Sequence, residues 1–257
     1  MARPFLTYKT ASIIFWALIV LLGIGSWYNL VSWWWLLMPI LLFTVLLVYG
    51  SVFVCSRFFI PVIGEGNKSK KQIALTFDDG PVMEVTDQVL QVLSAHNVKG
   101  TFFCIGERLS QNRKLGQQIH QEGHLLGNHS FHHGFWFDLL PAAKMERELW
   151  QTDEEIATIT GQQPEWFRPP YGVTNPALAK AAQRTGHRLA GWSVRSMDTV
   201  SSKDAKTIAE KVKRQLKPGA IILFHDSQPL LPDVLEEVIA FAKKEGYDLV
   251  RLDEVVD

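Results

Sequence analysis

The chain begins with a long apolar stretch and continues with a mixed pattern of apolar and charged positions. Residues 11–30 and 31–55 are almost wholly apolar, and each approaches the ~20 residues that a membrane-spanning helix needs. The uncharged turn at 25–29, Gly-Ser-Trp-Tyr-Asn, marks their boundary and has the aromatic character of a bilayer interface. The pattern predicts two spanning helices. A cleaved signal peptide is the alternative, but no small-residue cleavage site follows the first segment, and a second apolar segment does.

From about residue 72 the chain alternates short β-forming runs with amphipathic helical segments. The predicted strands lie at 73–77, 101–105, 123–128, 166–168, 187–194, 220–224 and 247–250. The predicted helices lie at 86–96, 112–121, 142–160, 175–184, 202–216 and 232–244. This alternation indicates parallel βαβ units, arranged either as a barrel or as an open doubly wound sheet. We therefore expect a membrane anchor at 1–55, a linker at 56–71 and a globular domain at 72–257.

Polar clusters follow five of the predicted strands and bear on the choice between these arrangements. They occupy residues 78–79, 129–133, 168–172, 195–198 and 225–226. In a barrel all strand ends meet on one face, where active sites form, whereas an open sheet gathers them only near a switch point. Five clusters at five strand ends therefore favour an α/β barrel.

Charge is balanced overall but unevenly placed along the chain. The 26 basic and 26 acidic side chains cancel, which argues against a nucleic-acid partner held by bulk charge. Arg3 and Lys9 precede the apolar stretch, and a small basic cluster at 57–71 follows it. Excess Lys and Arg favour the cytoplasm, so both ends of the anchor, and with them the globular domain, are predicted on the cytoplasmic face.

Two acids and a histidine pair supply the candidate chemistry. Asp78 and Asp79 come directly after a strand, so one can bind a metal ion while the other handles a proton. His129 and His133 are four residues apart, which predicts a helical turn with both imidazoles on one side and His132 pointing elsewhere. Two imidazoles and a carboxylate suit zinc or another divalent transition metal. The structural alternatives are an Asp-Gly turn and a solvated histidine-rich loop.

Four motifs together resemble one known family. They are Thr-Phe-Asp-Asp-Gly-Pro at 76–81, His-Ser-x-x-His at 129–133, Arg-Pro-Pro-Tyr-Gly at 168–172 and Leu-x-His-Asp at 223–226. In this order and spacing they resemble the polysaccharide deacetylases, also called the NodB-homology domain or carbohydrate esterase family 4. The resemblance covers about residues 70–257. It implies a distorted (β/α) barrel, usually of seven strands, and metal-dependent removal of acetyl groups from N-acetylated sugars.

The resemblance also implies a role for each matching position. It assigns metal binding to Asp79, His129 and His133. It makes Asp78 the general base, oriented by Arg168, and His225 the general acid. It gives the Tyr171 N–H the role of binding the oxyanion, and Leu223 the contact with the acetyl methyl. The expected ion is zinc, with other divalent transition ions as alternatives.

One motif departs from the family pattern. Where the family usually has Asp-x-x-Asp-Trp, this chain has Arg195-Ser-Met-Asp198-Thr199. The missing first Asp normally tunes the catalytic histidine, and an arginine close to His225 would disfavour the imidazolium that a general acid needs. We expect Asp198 or Asp226 to take over this tuning; the alternatives are that Arg195 points away or that the enzyme is weakened.

The function expected from these features is a membrane-anchored, metal-dependent hydrolase that removes acetyl groups from an N-acetylated sugar, with the bilayer as its second partner. One alternative is a deacylase or deformylase of a lipid-linked sugar at the membrane face, and another is a glycan-binding pseudo-enzyme. A metal-independent hydrolase is disfavoured because no Gly-x-Ser-x-Gly elbow occurs. Phe135, Trp136 and Phe137 are interpreted either as a sugar-stacking surface or as a loop packed over the core.

Overall fold

Two apolar helices precede the globular part of the computed structural model, which describes residues 6–257. Helix α1 is Tyr8–Trp27, and helix α2 is Leu37–Val52, continuous with a 3₁₀ turn at Trp33–Leu36. The spans Tyr8–Trp27 and Trp33–Val52 each have 20 residues. Their most apolar stretches have mean hydropathies of 2.0 and 2.2, and only 11% of the residues in each stretch are buried. By length and composition both helices are candidate membrane spans, and their crossing of a bilayer stays a prediction.

The described residues after α2 build one sheet of nine strands, in which every neighbouring pair is parallel. The strands are β1 (Val62–Ile63), β2 (Gln72–Asp78), β3 (Thr101–Cys104), β4 (Leu125–Asn128), β5 (Trp166–Phe167), β6 (Arg188–Ala190), β7 (Val194–Arg195), β8 (Ala220–His225) and β9 (Asp248–Val250). Their order is β1-β6-β5-β4-β3-β2-β8-β7, and β9 pairs with the first half of β2. The sheet curls into a half-barrel, which confirms the predicted fold class.

Eight helices connect and cover these strands in the described part of the chain. They are α3 (Met83–Ala95), α4 (Gly106–Gln111), α5 (Arg113–Gln121), α6 (Ala142–Thr160), α7 (Pro176–Thr185), α8 (Ala205–Lys213), α9 (Leu231–Lys244) and α10 (Leu252–Val256). The predicted helices at 142–160 and 175–184 are confirmed, and the side chain of Asn175 caps α7 by accepting a hydrogen bond from Leu178 N at 2.8 Å. Helix α4 was not predicted, because its six residues are too few for a clear apolar period.

The main core lies between the central strands and helices α3, α8 and α9. Its aromatic centre is Phe77 of β2, whose ring centroid lies 4.6 Å from that of Phe102 and 6.1 Å from that of Phe224. Helices cover one face of these strands, and facing strand residues together with α10 fill the other, so β2 and β8 are almost continuously apolar and buried. Each buried phenylalanine contributes about 1.5–3 kcal/mol by leaving water. This core holds the ends of β2 and β8 rigidly side by side.

The prediction of one strand at 187–194 is wrong. The segment forms two strands, β6 and β7, that belong to opposite regions of the sheet: β6 pairs with β1 and β5, whereas β7 pairs with β8. Residues 191–193 cross between them on the open side of the half-barrel. The crossing is tightly packed at Gly191, because a Cβ atom there would lie 2.7 Å from the Cys55 sulfur and the Cys55 side chain would have to shift.

The segment at 56–71, predicted as a linker, is packed and contributes strand β1. Phe58 and Ile60 are only 4% and 7% exposed, and Ile60 shares a core cluster with Phe167 and Leu178. Beyond β1 the chain follows the sheet, and Gly66 N donates to Gly219 O at 2.8 Å. The connection between the apolar helices and the globular part is therefore a fixed element of the structure.

Candidate active site

The predicted site residues gather at the carboxyl ends of the central strands. Asp78 ends β2 and His225 ends β8, and the two residues are register partners in the parallel pair. Asp79 follows in the left-handed region with φ 73°, which turns its side chain away from the strand direction. Arg108 Nη1 donates to the Asp79 carbonyl at 2.6 Å and holds this conformation.

Three side chains converge to form a group that fits a metal ion. The Asp79 Oδ1 atom lies 3.6 Å from His129 Nε2 and 3.6 Å from His133 Nε2. The candidate ligand atoms of the three residues all lie within 4.8 Å of one another. A carboxylate and two imidazoles leave open positions on a divalent ion, as catalytic sites require.

The protonation of His129 also fits a metal ligand. Its Nδ1 lies 2.7 Å from the carbonyl oxygen of Arg168, which can only accept, so Nδ1 carries the proton and Nε2 faces Asp79 with a free lone pair. Burial, and then the neighbouring charge of His133, lower the pKa of His129 to about 3. A neutral imidazole oriented in this way is the form that binds metal ions.

The histidine segment is not the helical turn that its spacing predicted. Ser130 and His133 both have positive φ values, 65° and 50°, which no helical turn contains. The loop is held by local hydrogen bonds instead: Ser130 N donates to Asn128 Oδ1 at 2.8 Å, and His133 N donates to Ser130 Oγ at 3.1 Å. The two imidazoles therefore converge through an irregular loop.

Glu148 of α6 is a supporting residue that sequence reasoning missed. Its Oε2 accepts hydrogen bonds from Phe131 N at 3.1 Å and His132 N at 2.9 Å, and its Oε1 accepts one from the His132 ring at 2.8 Å. Glu148 therefore holds the His132 ring away from the three candidate ligands, and the helical turn on which that expectation depended plays no part. No spacing in the sequence signalled Glu148, because it acts from a helix packed against the loop.

Asp78 is buried beside a buried arginine. Arg168 Nη1 donates to Asp78 Oδ1 at 2.7 Å and to Thr76 Oγ1 at 2.9 Å, and Nη2 donates to Gly191 O at 2.9 Å. Burial raises the pKa of Asp78, while the positive charge of Arg168 opposes that rise. The guanidinium also lies 4.2 Å from the ring centroid of Phe103. The arginine thus orients the carboxylate and offsets part of its desolvation cost.

His225 is paired with Asp198, which is one of the two residues expected to substitute for the missing family aspartate. His225 Nδ1 donates to Asp198 Oδ1 at 2.8 Å, and its backbone N donates to Oδ2 at 2.8 Å. Burial lowers the pKa of His225, but the Asp198 hydrogen bond and charge outweigh it, and the net pKa is about 8. Asp226 instead accepts a hydrogen bond from Thr86 Oγ1 at 2.6 Å. The burial of Asp226 raises its pKa to about 7.

Arg195 occupies the position of the missing aspartate and is exposed in the cleft. Within the described residues no hydrogen bond or ion pair joins its guanidinium to His225, whose Nδ1 is occupied by Asp198. The arginine therefore lies at the edge of the site without replacing the contact that the family aspartate makes.

A cleft of about 220 Å³ opens above these groups. Leu223, 2% exposed, lines it, as does Tyr171, which is 51% exposed and has a φ of 57°. Pro169, which lies in the motif at 168–172 without an assigned role, also lines the cleft, as does Trp192, which was not predicted. The glycine before Trp192, inside a predicted strand, was the available signal, because glycine often marks a break in a strand.

Residues 65–190 match the family described as polysaccharide deacetylase. Peptidoglycan-N-acetylmuramic acid deacetylase PdaA of Bacillus subtilis is 36% identical over 196 residues, which are 74% of this chain and 73% of that protein. Its solved structure is 34% identical with a TM-score of 0.70, covering 79% of this chain and 86% of that one. Peptidoglycan-N-acetylglucosamine deacetylase PgdA of Listeria monocytogenes is also 36% identical, over 73% of this chain but only 39% of its own length.

A pseudoenzyme has a similar structure. The BA3943 protein of Bacillus anthracis, described as a pseudoenzyme of carbohydrate esterase family 4, is 28% identical with a TM-score of 0.71, covering 76% of this chain and 68% of that one. A mutant of it is described as having restored enzymatic activity. Because one fold carries both active and inactive proteins, the chemical groups of the site must decide activity.

Proposed function

The chain belongs to the polysaccharide deacetylase family, hydrolases that act on carbon–nitrogen bonds, and from this premise we propose that it is a membrane-anchored, metal-dependent deacetylase of an N-acetylated sugar. One observation carries the proposal: Asp79, His129 and His133 place their ligand atoms within 4.8 Å of one another, beside the Asp78 and His225 pair. The relatives act on N-acetylmuramic acid or N-acetylglucosamine of peptidoglycan, which makes such a sugar the first substrate to test.

Asp79, His129 and His133 would hold the ion, and zinc is the ion we propose for this donor set. When bound, a divalent ion supplies Lewis-acid polarisation of the acyl oxygen and lowers the pKa of a water molecule. Asp78 accepts the proton of the attacking water, and its carboxylate is held in place by the 2.7 Å hydrogen bond from Arg168. The proton acceptor is thus both buried and oriented before substrate arrives.

The second half of the reaction requires an oxyanion donor and a proton for the departing amine. We assign the first to the Tyr171 N–H, at the rim of the cleft, and the second to His225. Protonated His225 donates from Nε2, because Asp198 accepts from Nδ1. Leu223 would contact the acetyl methyl from its buried position in the cleft wall.

The Asp198–His225 pair predicts the pH dependence of the rate. His225 must be protonated to act as an acid, so activity should fall as the pH rises through its pKa of about 8. In Asp198→Asn the carboxylate that raises this pKa is removed while burial still lowers it, so the alkaline limb should move to lower pH. Profiles of kcat/KM against pH for the two proteins measure the shift, and superimposable alkaline limbs would contradict the assignment.

A lipid-linked sugar is the second candidate substrate. The Lys and Arg residues at both ends of the apolar stretch favour a cytoplasmic domain, whereas peptidoglycan is an extracellular polymer. A cytoplasmic enzyme would meet an acylated or formylated sugar on a lipid carrier. A glycan-binding pseudo-enzyme is less well supported, because candidate metal ligands, base and acid all have the required neighbours.

Acyl release across a panel of sugars tests these functions. The full-length protein, reconstituted with zinc, is given a chitin oligomer, a muramic-acid-containing glycan strand, and acetylated and formylated lipid-linked sugars. We expect acetate from N-acetylated sugars and none after chelation of the metal. Formate from the formylated lipid alone would support the second candidate, and no release from any sugar would support the pseudo-enzyme.

A further inference from the structure

The loop at residues 134–140, here called the apolar loop, exposes three large apolar side chains beside the active site. Phe135, Trp136 and Leu139 are 74%, 66% and 75% exposed, whereas Phe137 is 1% exposed and packs in the core. The buried phenylalanine fixes the loop, so its neighbours are presented outward on a held backbone. Adjacent exposed apolar groups of this size mark contact with a membrane, a ligand or another protein.

The apolar loop is joined to the end of helix α2 through two consecutive residues. Thr174 N donates to Ser51 O at 3.2 Å, and Thr174 Oγ1 donates to Gly50 O at 2.8 Å. The next residue, Asn175, donates from Nδ2 to Asp138 O at 2.7 Å. Two adjacent residues of the globular part therefore hold the helix on one side and the apolar loop on the other.

The length of the second apolar span indicates where the hydrogen bonds between α2 and Thr174 lie relative to the bilayer. A helix rises 1.5 Å per residue, so the 20 residues Trp33–Val52 extend about 30 Å, the thickness of a bilayer's hydrocarbon core. The whole span is then needed to cross, and Gly50 and Ser51, at its end, lie at the boundary with the head groups. Thr174, bonded to both, lies at the same boundary.

The same loop borders the mouth of the cleft. It follows directly after His133, and Tyr171 Oη donates to the His133 carbonyl at 3.3 Å. The rings of His133 and Tyr171 have centroids 4.7 Å apart. Trp192, which lines the cleft, accepts through its carbonyl from Cys55 Sγ at 3.6 Å, just beyond the end of α2.

We propose that the apolar loop is a membrane contact: Phe135, Trp136 and Leu139 insert into the head-group region of the leaflet in which α2 ends. The inference rests on the proposed membrane anchor. Its consequence is that the mouth of the cleft is held at the bilayer surface, where aromatic side chains are favoured. The substrate class that fits is an amphiphile whose acylated sugar lies within the head-group layer, carried on a lipid chain.

Depth-dependent quenching tests the contact without depending on catalysis. In full-length protein with Cys55→Ser, an environment-sensitive fluorophore is placed on Trp136→Cys; Cys104 is buried and stays unlabelled. Trp150→Cys provides the matched control, because Trp150 is also exposed, at 53%, but lies beside Pro164 and Thr185 near the amino ends of β5 and β6. In liposomes with lipids brominated near the head groups, we expect a blue-shifted, quenched signal at 136 and an aqueous signal at 150. Equal signals at both positions would overturn the proposal.

Activity distinguishes the membrane from a sugar as the occupant of the loop. For the double variant Phe135→Ser, Trp136→Ser we expect the KM for a lipid-linked sugar in liposomes to rise about tenfold, because one large apolar side chain that leaves water contributes that much or more. The KM for a soluble chitin oligomer should not change, and Trp150→Ser should change neither. An equal rise for both substrates would identify a sugar-stacking surface and refute membrane insertion. The absence of any acyl release would contradict the proposed deacetylase function and not the membrane contact.

Discussion

His129→Ala is expected to abolish metal retention in an otherwise folded protein. The substitution removes one of the three proposed ligands, and a divalent ion held only by the remaining carboxylate and imidazole would lose both affinity and geometry. Zinc content of the purified full-length protein measures the effect, together with acetate release. We expect both to fall to background.

His129 is buried, so its removal also leaves the Arg168 carbonyl without its donor, at a cost of about 1–3 kcal/mol. His133→Ala avoids this complication, because the side chain of His133 is 16% exposed. His132→Ala is the matched control, since its ring is bonded to Glu148 away from the ligands. Normal zinc content and activity in His129→Ala and His133→Ala would defeat the metal assignment.

Asp78→Asn should lower kcat by a factor of about 10²–10⁴ while the protein still binds zinc. The amide keeps the size of the carboxylate and can still accept the hydrogen bond from Arg168, but it cannot take a proton from water. Because Asp78 is outside the group of three ligands, metal content should be unchanged. The measurement is the rate of acetate release at saturating substrate, with zinc content determined on the same preparation.

Asp226→Asn is the control for this substitution. Asp226 is a buried acid next to His225 in the chain, and an asparagine can retain the hydrogen bond from Thr86. Its activity should stay within about tenfold of that of the unmodified protein, below the range expected for a proton-transfer group. Equal losses of activity in the two variants would contradict proton transfer by Asp78, because the removal of any buried carboxylate near the site would then have the same effect.

The motif residues could be predicted because each lies where a strand ends. Asp78, Arg168 and His225 each lie at or just after the carboxyl end of a strand, and parallel strands bring those ends to one edge of the sheet. The two apolar helices could be predicted equally well, since length and composition alone mark a candidate span.

The contacts that tune the site could not be predicted in the same way. Both Asp198 and Asp226 lie near His225 in the expected fold, and only the path of the chain after β7 brings Asp198 to its Nδ1. The convergence of the two imidazoles was predicted for the wrong reason. The spacing of four implied a helical turn, but positive φ values at Ser130 and His133 bring the imidazoles together. Local hydrogen bonds and Glu148 override the helical period here.

The local pattern of the chain by itself determined the apolar helices, the strand–helix alternation and the residue types at the strand ends. These properties depend on side-chain periodicity over a few neighbouring residues, which is present in the sequence. Tertiary structure alone decided that 187–194 splits between two regions of the sheet, that Asp198 pairs with His225, and that the end of α2 is bonded to Thr174. Each of these depends on groups far apart in the chain, which meet only when the curled sheet brings them within hydrogen-bonding distance.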